Sequence, residues 1–297
     1  GKLDPSKPFF YFQHPHPKDT CYGSWAWGHD AGQSTRALSN FPNAVAFSGH
    51  SHYSLLDERS IWQGAFTSVG TSSLRYTGMP YNERHPVGYE NTTTEAKDGW
   101  RHDAVKFARR FDTGDCSQGM LWSVYDDCIV VKRREFQSNL DVGDDWVMPL
   151  PAAESKPFAF AERAKKVGLP HFAAGAALKV VRAQAKNRGG KSRDGKETIP
   201  SVVKEVFTVT APAAVADKGA RAYEFEFTAE AKDGTKKTKL LMAEGFNHAT
   251  AHRKASAPTV CSFALDELPK GEVRFVVTPM NCFHARGASL VSDWMRT

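Results

Sequence analysis

Three histidines stand where apolar runs stop. Ala44-Val45-Ala46-Phe47 leads through Ser48-Gly49 into His50-Ser51-His52, and Phe9-Phe10-Tyr11-Phe12-Gln13 leads into His14-Pro15-His16-Pro17. Neutral imidazole binds Zn, Mn, Fe and Ni. On an extended segment, residues two apart face the same way. His50 and His52 are therefore predicted to present two imidazoles to one point or to two neighbouring points, and Gly49 removes side-chain bulk beside them. A lone histidine is more often a surface residue or a hydrogen-bonded core residue. Two strand ends with the same design raise metal ligation above that reading.

The elements that must position these residues follow from pattern. Pro8 to Gln13 reads as a short, buried, aromatic strand, and the prolines after it make a loop. Residues 18–31 are rich in Gly, Trp and Asp and carry no period. Gln33 to Asn40 reads as a short helix with Ser34 as its cap. Ala44 to Phe47 is the next strand, followed by strands at Ala65–Val69 and Ser73–Tyr76. Residues 78–103 are polar and rich in Gly, Thr and Asn, a long loop. Gly119–Tyr125 and Cys128–Arg133 flank Asp126-Asp127 and predict a hairpin.

Pro149-Leu150-Pro151 and the stretch after it read as a linker, at about 149–170. The expected organisation is one domain over 1–150 and a second over 151–297. From Leu178 onward short strands are separated by Gly189-Gly190, Asp194-Gly195, Asp233-Gly234 and Pro269-Lys270-Gly271, with no helix between them. That spacing predicts a β-sandwich of the immunoglobulin or fibronectin-III kind. Arg182 to Lys196 holds six positive charges and one negative. It reads as a flexible exposed loop, with phosphate or polyanion binding as the alternative.

Strand-Gln13-His14-Pro15-His16-Pro17, then strand-Gly49-His50-Ser51-His52, resembles the last two metal motifs of the calcineurin-like metallophosphoesterases. The resemblance covers residues 8–80 and extends to the hairpin at 119–134. It implies the C-terminal part of an αββα sandwich, so the fold class expected is mainly β, or α+β, with the second β-sandwich appended. It also implies a site for two divalent or trivalent first-row ions, Mn, Zn or Fe. His14 and His50 would share one ion and His52 would hold its neighbour. A metal-bridging hydroxide would then attack the phosphorus of a phosphate mono- or diester. His16, His29, Asp30 and Arg36 become candidates for supporting the ligands or touching substrate.

The family's earlier motifs, Asp-x-His, Gly-Asp-x-x-Asp and Gly-Asn-His, supply a bridging carboxylate, an Asn ligand and an acid/base His. They belong before His14, and no Asp in the chain is followed two places later by His. Gly143-Asp144-Asp145 and Phe246-Asn247-His248 echo fragments but lie after the histidines. The expectation is a C-terminal portion of a larger phosphoesterase, itself inactive or impaired. Its open sheet edge would be covered by a missing N-terminal segment or by a second copy in a homo-oligomer. The alternative is a non-enzymatic β-sandwich binding module with vestigial histidines. A single-metal hydrolase using all three histidines ranks last.

Composition narrows the remaining choices. The chain has 297 residues, 41% of them hydrophobic and 24% charged, enough for a sizeable core. No apolar run reaches the 18 or so residues of a membrane span. Residues 151–297 hold 24 Lys and Arg against 15 Asp and Glu, a net of +9, and residues 1–150 hold 15 against 18, a net of −3. The basic residues are not interleaved with aromatics, so nucleic acid is not indicated. Cys21, Cys116, Cys128, Cys261 and Cys282 show no CxxC spacing. Cys116 and Cys128 are the nearest potential pair. The appended sandwich suits an exported or periplasmic protein, while the odd cysteine count argues against a fully bridged one.

Overall fold

A computed structural model describes residues 4, 7–23, 28–75, 77, 117–186, 190–191, 196, 198–215, 222–246 and 257–297. The expected loop at 78–103 lies outside them, as do Tyr76, Cys116, Asn247 and His248. The described residues form a mainly β structure in two compact units, divided between Val167 and Gly168.

In the first unit, β1 (Phe9–Gln13) pairs in parallel with β2 (Ala44–Ser48), which pairs in parallel with β4 (Thr67–Gly70). The short β3 (Ile61–Gln63) lies antiparallel on β4, giving the order β1-β2-β4-β3. All five residues of β2 are buried, as a continuous apolar run in a central parallel strand requires. Helix α1 (Gln33–Leu38) covers one face, where Leu38 joins Ala44, Ala46 and Phe66.

A second sheet covers the other face. It is built from β5 (Gln118–Val124), β6 (Cys128–Glu135), β7 (Leu140–Asp141) and β8 (Trp146–Pro149), with β6 pairing all three. Ile129, Val131, Trp146 and Met148 pack there against Val45, Phe47, Ile61 and Val69. The predicted hairpin is β5–β6, closed by the Tyr125 N–H donating to the Cys128 carbonyl at 2.8 Å.

Several expectations are corrected. β1 is an edge strand, not a buried one: its residues alternate, and Phe10 and Phe12 remain 41% and 72% exposed although Phe12 stacks on Phe47. Ser73 to Arg75 form no strand. Ser34 is not the helix cap; Gly32 takes that place in a left-handed conformation, φ 91°. Residues 149–167 are not a free linker. The Phe158 N–H donates to Gln63 Oε1, the Ala152 N–H donates to Asn43 Oδ1, and Phe158 is buried in the core, so α2 (Phe160–Lys166) belongs to the first unit. An aromatic anchor outweighed a composition that reads as polar. Cys128 is a free thiol.

The second unit has two antiparallel sheets. In one, β13 (Val203–Ala211) lies between β10 (Lys179–Lys186) and β17 (Thr259–Ala264). In the other, β15 (Glu224–Ala231) lies between β16 (Lys236–Met242) and β18 (Glu272–Met280). The far side of β18 carries β19 (Leu290–Val291) and β20 (Met295–Arg296). Small pairs join β9 (His171–Phe172) to β14 (Ala214–Val215) and β11 (Gly190–Lys191) to β12 (Thr198–Ile199). Phe207 and Phe263 of the first sheet each meet Phe275 of the second at 5.5 Å between ring centres. Arg182–Lys186, expected in a loop, is strand, with Arg182 paired to Glu205.

Candidate metal centre

Parallel pairing of β1 and β2 brings their C-terminal ends together. Gln13 stands opposite Ser48, and one further hydrogen bond, from the Gly49 N–H to the His14 carbonyl at 3.1 Å, continues the ladder past the strands. Two histidines 36 positions apart in sequence thereby become neighbours. His50 Nδ1 lies 2.8 Å from His14 Nε2, and the rings meet edge to face with centres 4.6 Å apart.

The turn that carries His50 and His52 is not extended, which corrects the same-face argument. The strand stops at Ser48, the Ser51 N–H donates to the Gly49 carbonyl at 2.8 Å, and His50 and His52 are left-handed with φ of 64° and 57°. That conformation costs an L-residue roughly 1 kcal/mol. Gly28 backs this turn: a Cβ there would lie 2.2 Å from His50 Cδ2, and its φ of +84° also requires glycine.

His16 is only 1% exposed and lies between two hydroxyls, with Nδ1 at 2.6 Å from Ser48 Oγ and Nε2 at 2.7 Å from Ser51 Oγ. Burial, followed by the neighbouring His50, His29 and His14, pushes its pKa down to about 4, so the ring is neutral at ordinary pH. Burial, His14 and His50 lower the pKa of His52 as well. The structure thus gathers His14, His16, His50 and His52 into one electrostatic cluster.

The other sequence candidates have local roles. His29 is exposed, with Nδ1 at 2.8 Å from the Asp30 carbonyl. Asp30 accepts the N–H groups of Gly32, Lys18 and Ser34, fixing the start of α1. Burial raises its pKa, but hydrogen bonds from Ser34, Gly32 and Lys18 prevail and lower it. Arg36 is exposed on α1. Asp144 offers its carbonyl to buried Arg133.

The 2.8 Å between ring nitrogens suits a hydrogen bond between one protonated and one bare nitrogen. Two imidazole nitrogens on one tetrahedral ion at about 2.1 Å each would stand about 3.4 Å apart, so the rings must separate by about half an ångström to share one. Among the described residues no group of three or more His, Cys, Asp and Glu is gathered to hold a metal ion. The described residues place two imidazoles side by side, and do not by themselves fit a carboxylate-bridged pair of ions.

His16, expected among the residues that support the ligands, is buried between two hydroxyls, a setting the sequence reading does not foresee. A signal was present: hydroxyls at 48 and 51, three apart around a glycine turn, need a partner if buried. No helix among the described residues is long and apolar enough to cross a membrane. Compared with family models, curated proteins and solved structures, the chain matches none.

Proposed function

We propose that the first unit is the C-terminal part of a calcineurin-like metallophosphoesterase. The observation that carries this reading is the meeting of His14 and His50 at the ends of two parallel strands. His14 and His50 hold one Mn, Zn or Fe ion and His52 faces its neighbour. Two such ions, when bound, would supply an activated water and stabilise charge on a phosphoryl group. The chain's own imidazoles bind and orient; burial, His14 and His50 lower the pKa of His52, which favours its neutral, ligating form. The family's bridging carboxylate, Asn ligand and acid/base His are not among the described residues, and on this reading those residues make up part of the site.

On the same reading, α1 and the two sheets form one side of an αββα sandwich, and the second unit is an accessory immunoglobulin- or fibronectin-III-like domain. The edge of β1, with Phe10 and Phe12 exposed, is where further strands or a second copy would pack. The competing reading is a binding module with vestigial histidines, and the lack of a third ligand among the described residues favours it.

Elemental analysis after dialysis against Mn, Zn and Fe separates the two. Bound first-row metal in the wild type, lost in His50→Ala, supports the phosphoesterase reading. No retained metal, or metal unaffected by His50→Ala, supports the module.

A further inference from the structure

The directions of three hydrogen bonds around His16 can be assigned. The Ser48 hydroxyl donates to the Val69 carbonyl at 3.3 Å, which uses its one proton. The tautomer that keeps this bond has Nδ1 of His16, 2.6 Å away, donating to Ser48 Oγ. In that tautomer Nε2 is the acceptor, and the Ser51 hydroxyl at 2.7 Å donates to it. The result is one chain, Ser51 to His16 to Ser48 to Val69. It ends on β4, whose pairing with β2 fixes the sheet. The next residue after β4, Thr71, clamps the same strand end by donating its N–H and hydroxyl to the Ser48 carbonyl.

Ser51 is the residue between His50 and His52, both left-handed. Single left-handed residues persist only where their surroundings over-determine them. The main chain of His16 adds a second hold. Its N–H donates to the Gly28 carbonyl at 2.9 Å and its carbonyl accepts the Asp30 N–H at 2.7 Å, which seats Gly28 against the His50 ring.

We propose that His16 is a positioning residue, which fixes the His50-Ser51-His52 turn through an oriented hydrogen-bond chain from Ser51 to Ser48 and through its grip on Gly28. Its consequence for metal binding rests on the metallophosphoesterase reading, whereas the geometry does not. Supporting groups that orient metal-ligating histidines typically change metal affinity by about 10- to 100-fold when removed.

The test uses metal-free protein with ¹⁵N-labelled histidines, comparing the wild type with Ser51→Ala by long-range ¹H–¹⁵N spectra. The expected result is a His16 ring protonated at Nδ1 in the wild type. In Ser51→Ala the His50 and His52 ring signals are expected to shift or broaden while the rest of the spectrum stays in place. A wild-type His16 protonated at Nε2 overturns the proposal, and so do unchanged His50 and His52 signals in Ser51→Ala. The wild-type tautomer decides even if the variant fails to fold. Mn²⁺ titration of the same two proteins is expected to show about tenfold weaker binding in Ser51→Ala; equal affinity contradicts the proposal. If the wild type binds no Mn²⁺ yet the rings respond to Ser51→Ala, the metal reading fails and the positioning role stands.

Discussion

Histidines in the two units keep opposite company. In the second unit, His284, also left-handed at φ 61°, places Nδ1 2.6 Å from Glu224, a carboxylate with no exposure at all. In the first unit, His14 meets His50, both lower the pKa of His52, and His16 lies between serines. A partner that satisfies a buried polar or charged group is costly to remove. The first unit uses such partners elsewhere: Glu58 lies between Arg133 and Arg163. Grouping like bases acts differently, because each imidazole disfavours protonation of the next. The comparison teaches that partner chemistry, more than histidine itself, separates a ligand-ready cluster from a structural pair.

The largest expected effects lie on the structural side. His284→Ala takes the imidazole from buried Glu224 and is expected to destabilise the second unit by about 3 kcal/mol, read by urea denaturation. Glu58→Ala leaves Arg133, a buried guanidinium also stacked on Trp146, without its carboxylate, for a similar loss of about 3 kcal/mol in the first unit. Either variant behaving like a surface substitution would dissolve the contrast.

Acid sensitivity sharpens it. Burial raises the Glu58 pKa, but Arg133 and Arg163 prevail and hold its carboxyl below the usual range. A depressed carboxyl pKa stabilises the fold above the ordinary value of about 4.3, and that contribution is lost as pH falls through the folded value. The wild-type first unit should lose stability on acidification below that point, and Glu58→Gln should flatten this part of the profile in a pH series of urea melts.

Smaller effects are expected at the histidines and the edge. His14→Ala, at an exposed position, should change stability by under about 0.5 kcal/mol in thermal melts while removing a metal ligand. Phe12→Ser should also cost little, within about 0.5 kcal/mol. Phe47→Ala, one layer in, should cost about 3 kcal/mol.

Much of this was legible in the sequence. β2 is an unbroken apolar run, β5 and β6 flank a two-residue acidic turn, and the strands after Leu178 are marked by glycine turns such as Gly234, at φ +86°. What was not legible depends on neighbours distant in sequence. The aromatic run of β1 looks buried, yet its exposure is set by how many strands flank it. Residues 149–170 look like a linker because the hold on the first unit comes from a few side chains, among them Phe158 in the core and Arg163 on Glu58, and a few hydrogen bonds. The spacing of His50 and His52 predicts an extended pair facing one way, but the left-handed turn that carries them rests against His16 and Gly28, more than 20 positions upstream.

The central claim is that His14 and His50 are two ligands of one ion. X-ray absorption on zinc-loaded protein counts imidazole ligands directly. The account predicts two imidazoles on zinc in the wild type and one in His14→Ala. Failure to retain zinc, or an imidazole count unchanged by His14→Ala, would contradict it.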